Sequence, residues 1–208
     1  MPIDTADLLV FLTAALALNL TPGNDMMYVL GQSMKGGVRP GLAAGFGIAT
    51  GSFIHLLLVA AGMAVVLSHY PAVFDAIRWV GAAYLVWIAY KTLATPIGDL
   101  TAQGASRGSF AAWRDGVLVN SFNPKTIVFM FAFLPPFVRP ENGAPLLQLF
   151  ILGTLFNIGG GIINGAVALF AGSIGAKLRQ SPGIAQGFRI VSASLFLLLA
   201  ARLACERR

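Results

Sequence analysis

Two ionisable residues stand where lipid-facing side chains are expected. Asp25 lies in NLTPGNDMMYVLGQSMKGGVRPG, Asn19 to Gly41, a stretch that begins inside an apolar run and ends in a basic turn. Lys125 lies in NSFNPKTIVFMFAFLPPFVR, Asn120 to Arg139, again inside an apolar run. A charge at mid-bilayer depth costs at least about 2.5–3.5 kcal/mol on insertion scales, so such residues usually face a bundle interior and act there. Asp25 can bind a substrate ammonium or take up a proton. The bland alternative is a dipole partner in the first turn of a restarted helix. Lys125 can hold a carboxylate, or pair with Asp25 when the site is empty. Its alternative is snorkelling to the interface, which its place near the middle of the run makes difficult.

Three further polar residues fall in apolar runs. His55 is a candidate proton relay, because an imidazole titrates near neutrality; a lone His on an apolar helix is more often a packing or hydrogen-bonding residue. Asn157 and Asn164 share a helix face and either line a cavity or bond to neighbouring helices.

Both charged stretches carry a helix breaker. Proline lacks an N–H and clashes with the preceding turn, but it suits the first position of a helix, with Thr or Asn before it as cap. Thr21-Pro22-Gly23 and Asn123-Pro124 therefore read as two helix restarts. Each restart would aim free backbone N–H groups and a positive dipole end at the interior, where an amino-acid carboxylate is a natural occupant. A packing kink is the alternative. Two broken helices in corresponding halves are the sequence pointer to the substrate site of a secondary transporter.

The elements that must position these residues are membrane helices. The chain has 208 residues, 57% hydrophobic and 11% charged, where a soluble domain carries about 25% charged. Mean hydropathy is +0.78. Apolar runs of roughly 20 residues recur along the length, as a bilayer demands. They predict six helices: about Asp7 to Ser33, broken near Pro22; Gly41 to Leu67; Phe74 to Leu93; Asp115 to Val138, broken near Pro124; Leu146 to Ile174; and Phe188 to Ala204. The whole chain is expected to be one all-α transmembrane domain. Its repeats would span about 1–94 and 115–208, with a Pro- and Gly-bearing linker over about 95–114.

The halves can be laid over each other. Thr21-Pro22 corresponds to Asn123-Pro124, and Gly51-x9-Ala61-Gly62 to Gly161-x9-Ala171-Gly172. RWVGAAYLVWIAYK, Arg78 to Lys91, corresponds to RIVSASLFLLLAAR, Arg189 to Arg202. An odd number of helices per repeat places the second copy upside down, the inverted-repeat plan of many carriers; chance similarity between apolar segments is the alternative.

Charge and cysteine narrow the class. The net charge is +6, but the basic residues sit between apolar runs, where they set orientation rather than bind nucleic acid. Lys35, Arg39, Lys91, Arg107, Arg114, Lys177, Arg179 and Arg189 mark the cytoplasmic side; both termini are expected outside, against the pull of Arg207 and Arg208. The one cysteine, Cys205, excludes an internal disulfide and a C-x-x-C redox or metal pair. The N-terminus lacks the basic region of a cleaved signal peptide and is expected to remain as the first helix. No G-x-x-x-x-G-K-S/T phosphate loop is present, so energy is expected from an ion or solute gradient. No cofactor or metal is called for. Gly41, Gly45, Gly47, Gly51, Gly159, Gly160, Gly161 and Gly165 suit close helix contact and are compatible with a homodimer. Tyr70, Trp79, Trp87, Tyr90 and Trp113 fit an interfacial aromatic belt.

Three stretches resemble the LysE/RhtB family of amino-acid exporters, within the LysE superfamily. They are TPGNDMMYVLGQSMKGGVRPGLAAGFGIATGSFIH, Thr21 to His55; GAAYLVWIAYKTL, Gly81 to Leu93; and NPKTIVFMFAFLPPFV, Asn123 to Val138. The family pattern P-G-P-D stands here as Pro22-Gly23-Asn24-Asp25, with Asn24 replacing the second proline. The resemblance implies efflux of amino acids or their derivatives from a bacterial cytoplasm across the inner membrane by proton antiport. It carries Pro22, Gly23, Asp25, Asn123, Pro124 and Lys125 over as functional positions. The reading is thus a multi-pass carrier for a zwitterionic amino acid, its site between helices 1 and 4. The rivals are a metal-ion or redox carrier of the same superfamily, a membrane-embedded enzyme, for which neither nucleophile-base pair nor metal motif is found, and a passive channel.

Overall fold

The structure is a computed structural model describing residues 3–69, 71–94, 108–171 and 182–205. Every regular element among them is helical. α1, Thr5–Leu20, is capped by Asp4, whose carboxylate accepts from the Ala6 N–H at 2.8 Å. α2, Asn24–Gly36, follows at a 47° bend. α3, Val38–His69, and α4, Pro71–Ala94, are long and continuous. α5, Ser109–Ser121, leads to α6, Pro124–Val128, which runs on through a π-helical turn, Phe129–Phe133, and a 3-10 turn, Pro135–Phe137. The bend between α5 and this second half is 53°. After a 3-10 turn at Pro140–Asn142 come α7, Pro145–Leu169, and α8, Pro182–Cys205.

The breaks fall where the prolines predict, but only one is built as expected. Asn123 caps α6, its Oδ1 accepting from the Lys125 N–H at 3.0 Å, with Pro124 at the first helical position. Thr21 does not cap a helix starting at Pro22. It closes α1: its hydroxyl donates back to the Ala17 carbonyl at 2.7 Å, and α2 starts at Asn24 after Gly23. A threonine hydroxyl can serve the turn before it as readily as the turn after it. Here the Ala17 carbonyl, near the open end of α1, is the group it serves.

Several boundaries move outward. α5 begins at Ser109, within the segment expected as linker; the charged Arg114-Asp115 pair cuts its first turns off from the apolar run that follows. α8 begins at Pro182 and α4 at Pro71, each with the proline in its first turn. The second half of helix 4 is not a plain α-helix to Val138. Pro135 and Pro136 supply no N–H, and the Leu134 N–H reaches back five residues to the Phe129 carbonyl at 2.9 Å. The rest of the linker, 95–107, lies outside the described residues, as do Tyr70, Gly172, Lys177, Arg179, Arg207 and Arg208 and the side chains of Arg78, Arg189 and Arg202.

Two helices, Val38–Gly62 within α3 and Pro145–Leu169, are each long and apolar enough to cross a bilayer; with the two bent pairs taken as single spans the number among the described residues is four. The outward faces are apolar: Phe46 is 70% exposed and Ile162 67%. Apolar surface on this scale calls for hydrocarbon around it. Trp79, Trp87 and Tyr90 are also exposed, whereas Trp113 turns its indole N–H to the Thr50 hydroxyl at 3.3 Å.

Inside, Phe11, Phe129, Phe133, Phe137 and Phe156 stack into one cluster, with Phe129 and Phe156 centroids 4.5 Å apart. At one end, the Arg139 guanidinium donates to Asp7 at 2.6 Å, and Gln148 brackets the Arg139 backbone, accepting from its N–H at 2.9 Å and donating to its carbonyl at 2.8 Å.

α3 and α5 approach backbone to backbone. A Cβ on Gly116 would lie 2.6 Å from the Ala44 carbonyl oxygen, one on Gly51 2.9 Å from the Asn120 Cβ, and one on Gly47 would strike the Trp113 carbonyl. The α3 glycines offered by sequence for a dimer face are therefore used within the chain. Gly47→Ala is expected to lower the melting temperature of the detergent-solubilised protein by several degrees, since overpacking costs about 1–3 kcal/mol. Gly62→Ala, where a Cβ meets nothing within 4 Å, is expected to hold or raise it through helix propensity.

Candidate functional site

The two breaks meet through Lys125. Its Nζ donates to the Leu18 and Thr21 carbonyls, each at 3.1 Å. Both lie at the C-terminal end of α1, where the Leu18 carbonyl also accepts from the Thr21 N–H at 3.2 Å, and a cation there answers the negative end of the helix dipole. The fit depends on Gly23, where a Cβ would lie 3.3 Å from the ammonium. Pro22 is half-buried beside this contact, whereas Pro124 is exposed.

Asp25, in the first turn of α2, is buried, 9% exposed. Its Oδ2 accepts from Asn120 Nδ2 at 3.1 Å and from the Thr126 hydroxyl at 3.5 Å; Asn120 Nδ2 also reaches Thr126 Oγ1 at 3.2 Å. Its Oδ1 has no hydrogen-bond partner. Asp25 and Lys125 line one cavity without a direct ion pair between them.

That cavity lies among α1, α2, α3, α5, α6 and α7. Its volume is about 20 Å³, room for one water but not for an amino acid. Asn157 and Asn164, both predicted, line it, together with Asn19, Ser52, Asn120 and Thr126, which were not. Asn157 donates to the Ala49 carbonyl at 3.1 Å and Asn19 to the Phe156 carbonyl at 3.2 Å, so amides tie α7 to α3 and α1 to α7. Gly160 sits against Asn19, where a Cβ would be 3.1 Å from the amide oxygen.

His55 does not line the cavity. Its Nε2 faces the Asn120 carbonyl at 3.3 Å, and its ring meets Phe131 edge-on. A carbonyl only accepts, so Nε2 carries the proton. Nδ1 is buried without a partner. Asn120 thus stands between His55 and Asp25, its backbone serving one and its side chain the other. Thr21, Gly23 and Asn123 are second to the cavity: they hold Lys125 and the helix ends rather than forming the wall.

A family model described as LysE type translocator matches residues 16–207. The chain belongs to the LysE family. It is 32% identical over 200 residues to a homoserine/homoserine lactone efflux protein of Salmonella typhimurium, covering 95% of each chain. It is 31% identical over 193 residues to an uncharacterized membrane protein of Vibrio cholerae, covering 91% of this chain and 92% of that one. A leucine efflux protein of Salmonella choleraesuis is 30% identical over 156 residues, 71% of each chain. No solved structure matches. As a LysE-type translocator the chain is a membrane transport protein, not an enzyme.

Proposed function

We propose that this LysE-type translocator exports a small amino acid or amino-acid derivative, homoserine, its lactone or leucine being the compounds that the relatives' names suggest. The observation that carries the reading is Asp25: a buried carboxylate with one oxygen unpartnered, lining a polar cavity where two broken helices meet. Asp25 receives the substrate ammonium or the coupling proton. Lys125 joins the helix ends and presents positive charge to the same cavity.

The finer architecture proposed is six helices in two inverted repeats, multi-pass in a bacterial inner membrane. Matching features support it. The bends are 47° and 53°. Asn19, ahead of the first break, packs on Gly160 of α7, as Asn120, ahead of the second, packs on Gly51 of α3. α1 lies against α7 as α5 lies against α3. Carriers of this plan bind their cargo at the interface of the repeats, and opening is needed, because the cavity is smaller than any amino acid.

Proton antiport supplies the energy in this reading. Everted vesicles carrying the protein are expected to take up labelled homoserine or leucine faster with an imposed proton gradient, inside acidic. No gradient-dependent uptake across a panel of amino acids and lactones would remove the export reading. Tracer counterflow separates a carrier from a pore, which shows no stimulated exchange.

A further inference from the structure

The cavity wall holds several buried oxygens without a hydrogen-bond partner. Among the described residues, three side chains that line it hold a buried oxygen with no hydrogen-bond partner: Asp25 Oδ1, Ser52 Oγ and Asn120 Oδ1. Ser52 is 3% exposed and Asn120 1%. The orientation of the Asn120 amide follows from chemistry, because an ionised carboxylate only accepts and the nitrogen must face Asp25. Its oxygen is thereby turned away from Asp25 and left open. Four of the wall's donor groups are committed, while the Ser52 hydroxyl can donate as well as accept. Asn120 Nδ2 serves Asp25 and Thr126, Asn19 Nδ2 the Phe156 carbonyl, Asn157 Nδ2 the Ala49 carbonyl, and the Lys125 ammonium two carbonyls of α1.

A ligand that satisfies the three open oxygens must bring several N–H donors, and the carboxylate of Asp25 among them favours one that is positively charged. A primary ammonium has three donors and the charge. A carboxylate would meet an ammonium that has already given two of its three N–H groups to the Leu18 and Thr21 carbonyls. We infer that Asp25, Ser52 and Asn120 form an ammonium cradle, so that the translocator selects its cargo by a free primary amine and does not require a free carboxylate. This rests on the export reading above and assigns Ser52 and Asn120 a part in specificity. The class of cargo is then primary amines with or without the acid group: amino acids, their esters and lactones, but not N-acylated forms.

Proteoliposomes containing the full chain test this by competition. For homoserine or leucine, whichever the vesicles take up, three unlabelled analogues are compared with the unlabelled parent: the lactone or methyl ester, the N-acetyl derivative and the des-amino acid. The ester or lactone is expected to compete within about threefold of the parent. The N-acetyl and des-amino compounds are expected to be weaker by about 100-fold or more, because a site built for N–H donors is left unpaired by an analogue lacking them. Ser52→Ala is expected to raise KM about tenfold with kcat kept, and to narrow the discrimination against the N-acetyl form, which a merely structural role would not do. Competition by the N-acetyl or des-amino compound equal to the parent, or none by the ester, would overturn the cradle while leaving export in place. Uptake of no amino acid at all would instead remove the export reading.

Discussion

Asp25→Asn is expected to abolish export while the protein inserts and folds normally. Asparagine keeps the shape and one acceptor oxygen for Asn120 Nδ2, which at present bonds Asp25 at 3.1 Å. What it removes is the charge. A buried charge pair that loses one partner costs about 3–5 kcal/mol, and each 1.4 kcal/mol is a factor of about ten. Transport of a cationic amine should therefore fall by several hundred-fold or more. Efflux from preloaded cells, with membrane content measured by immunoblot and the melting temperature in detergent, separates loss of function from loss of fold. Normal efflux in this variant would place the site elsewhere; loss of efflux together with loss of folded protein would make Asp25 a structural group.

Lys125→Ala is the second large effect expected: export falls to background and the protein still inserts. The Thr21 carbonyl loses its donor, the Leu18 carbonyl keeps only the Thr21 N–H, and the Asp25 carboxylate loses the positive charge that shares its cavity. The unpartnered Thr21 carbonyl costs about 1–3 kcal/mol, so the melting temperature should drop by several degrees as well. Lys125→Arg keeps the charge, but its planar fork is wider than the ammonium that fits 3.3 Å from the Cβ position of Gly23. It is expected to insert well and transport poorly. Wild-type efflux in Lys125→Ala would show that the join between the breaks is not needed for transport.

Much of this site could be read before any coordinates, and the reason is physical. A carboxylate and an ammonium in apolar runs are expensive enough to be conspicuous, and Pro22 and Pro124 mark the breaks by their missing N–H groups. Asn120, Thr126, Ser52 and Asn19 escaped notice because small polar residues are tolerated almost anywhere in membrane helices. Whether they reach a cavity depends on helix rotation and on the bend angle, which no residue spacing encodes. Thr21 departs from its expected capping role for a related reason: its hydroxyl can close one helix or open the next, and the geometry of α1 decides. The start of α5 at Ser109 is hidden by the charged pair Arg114-Asp115, which ends the apolar run although the helix continues through it. The π-helical turn did have a signal, Pro135-Pro136, which removes two donors in succession and shifts the ladder upstream.

The glycine crossing of α3 and α5 has a mechanical consequence. With Gly47 against the Trp113 carbonyl and Gly116 against that of Ala44, main chain rests on main chain, and no long side chain is interposed to swing aside. The two helices must therefore travel as a single strut, and Ser52 and Asn120, which they carry, keep a constant separation through the cycle. Only the opposite wall is left to widen the chamber, with Asp25 on α2 and the asparagines on α1 and α7. In the proposed cradle, two jaws of one grip would then stay fixed while the third, the charged one, closes on the cargo and lets it go.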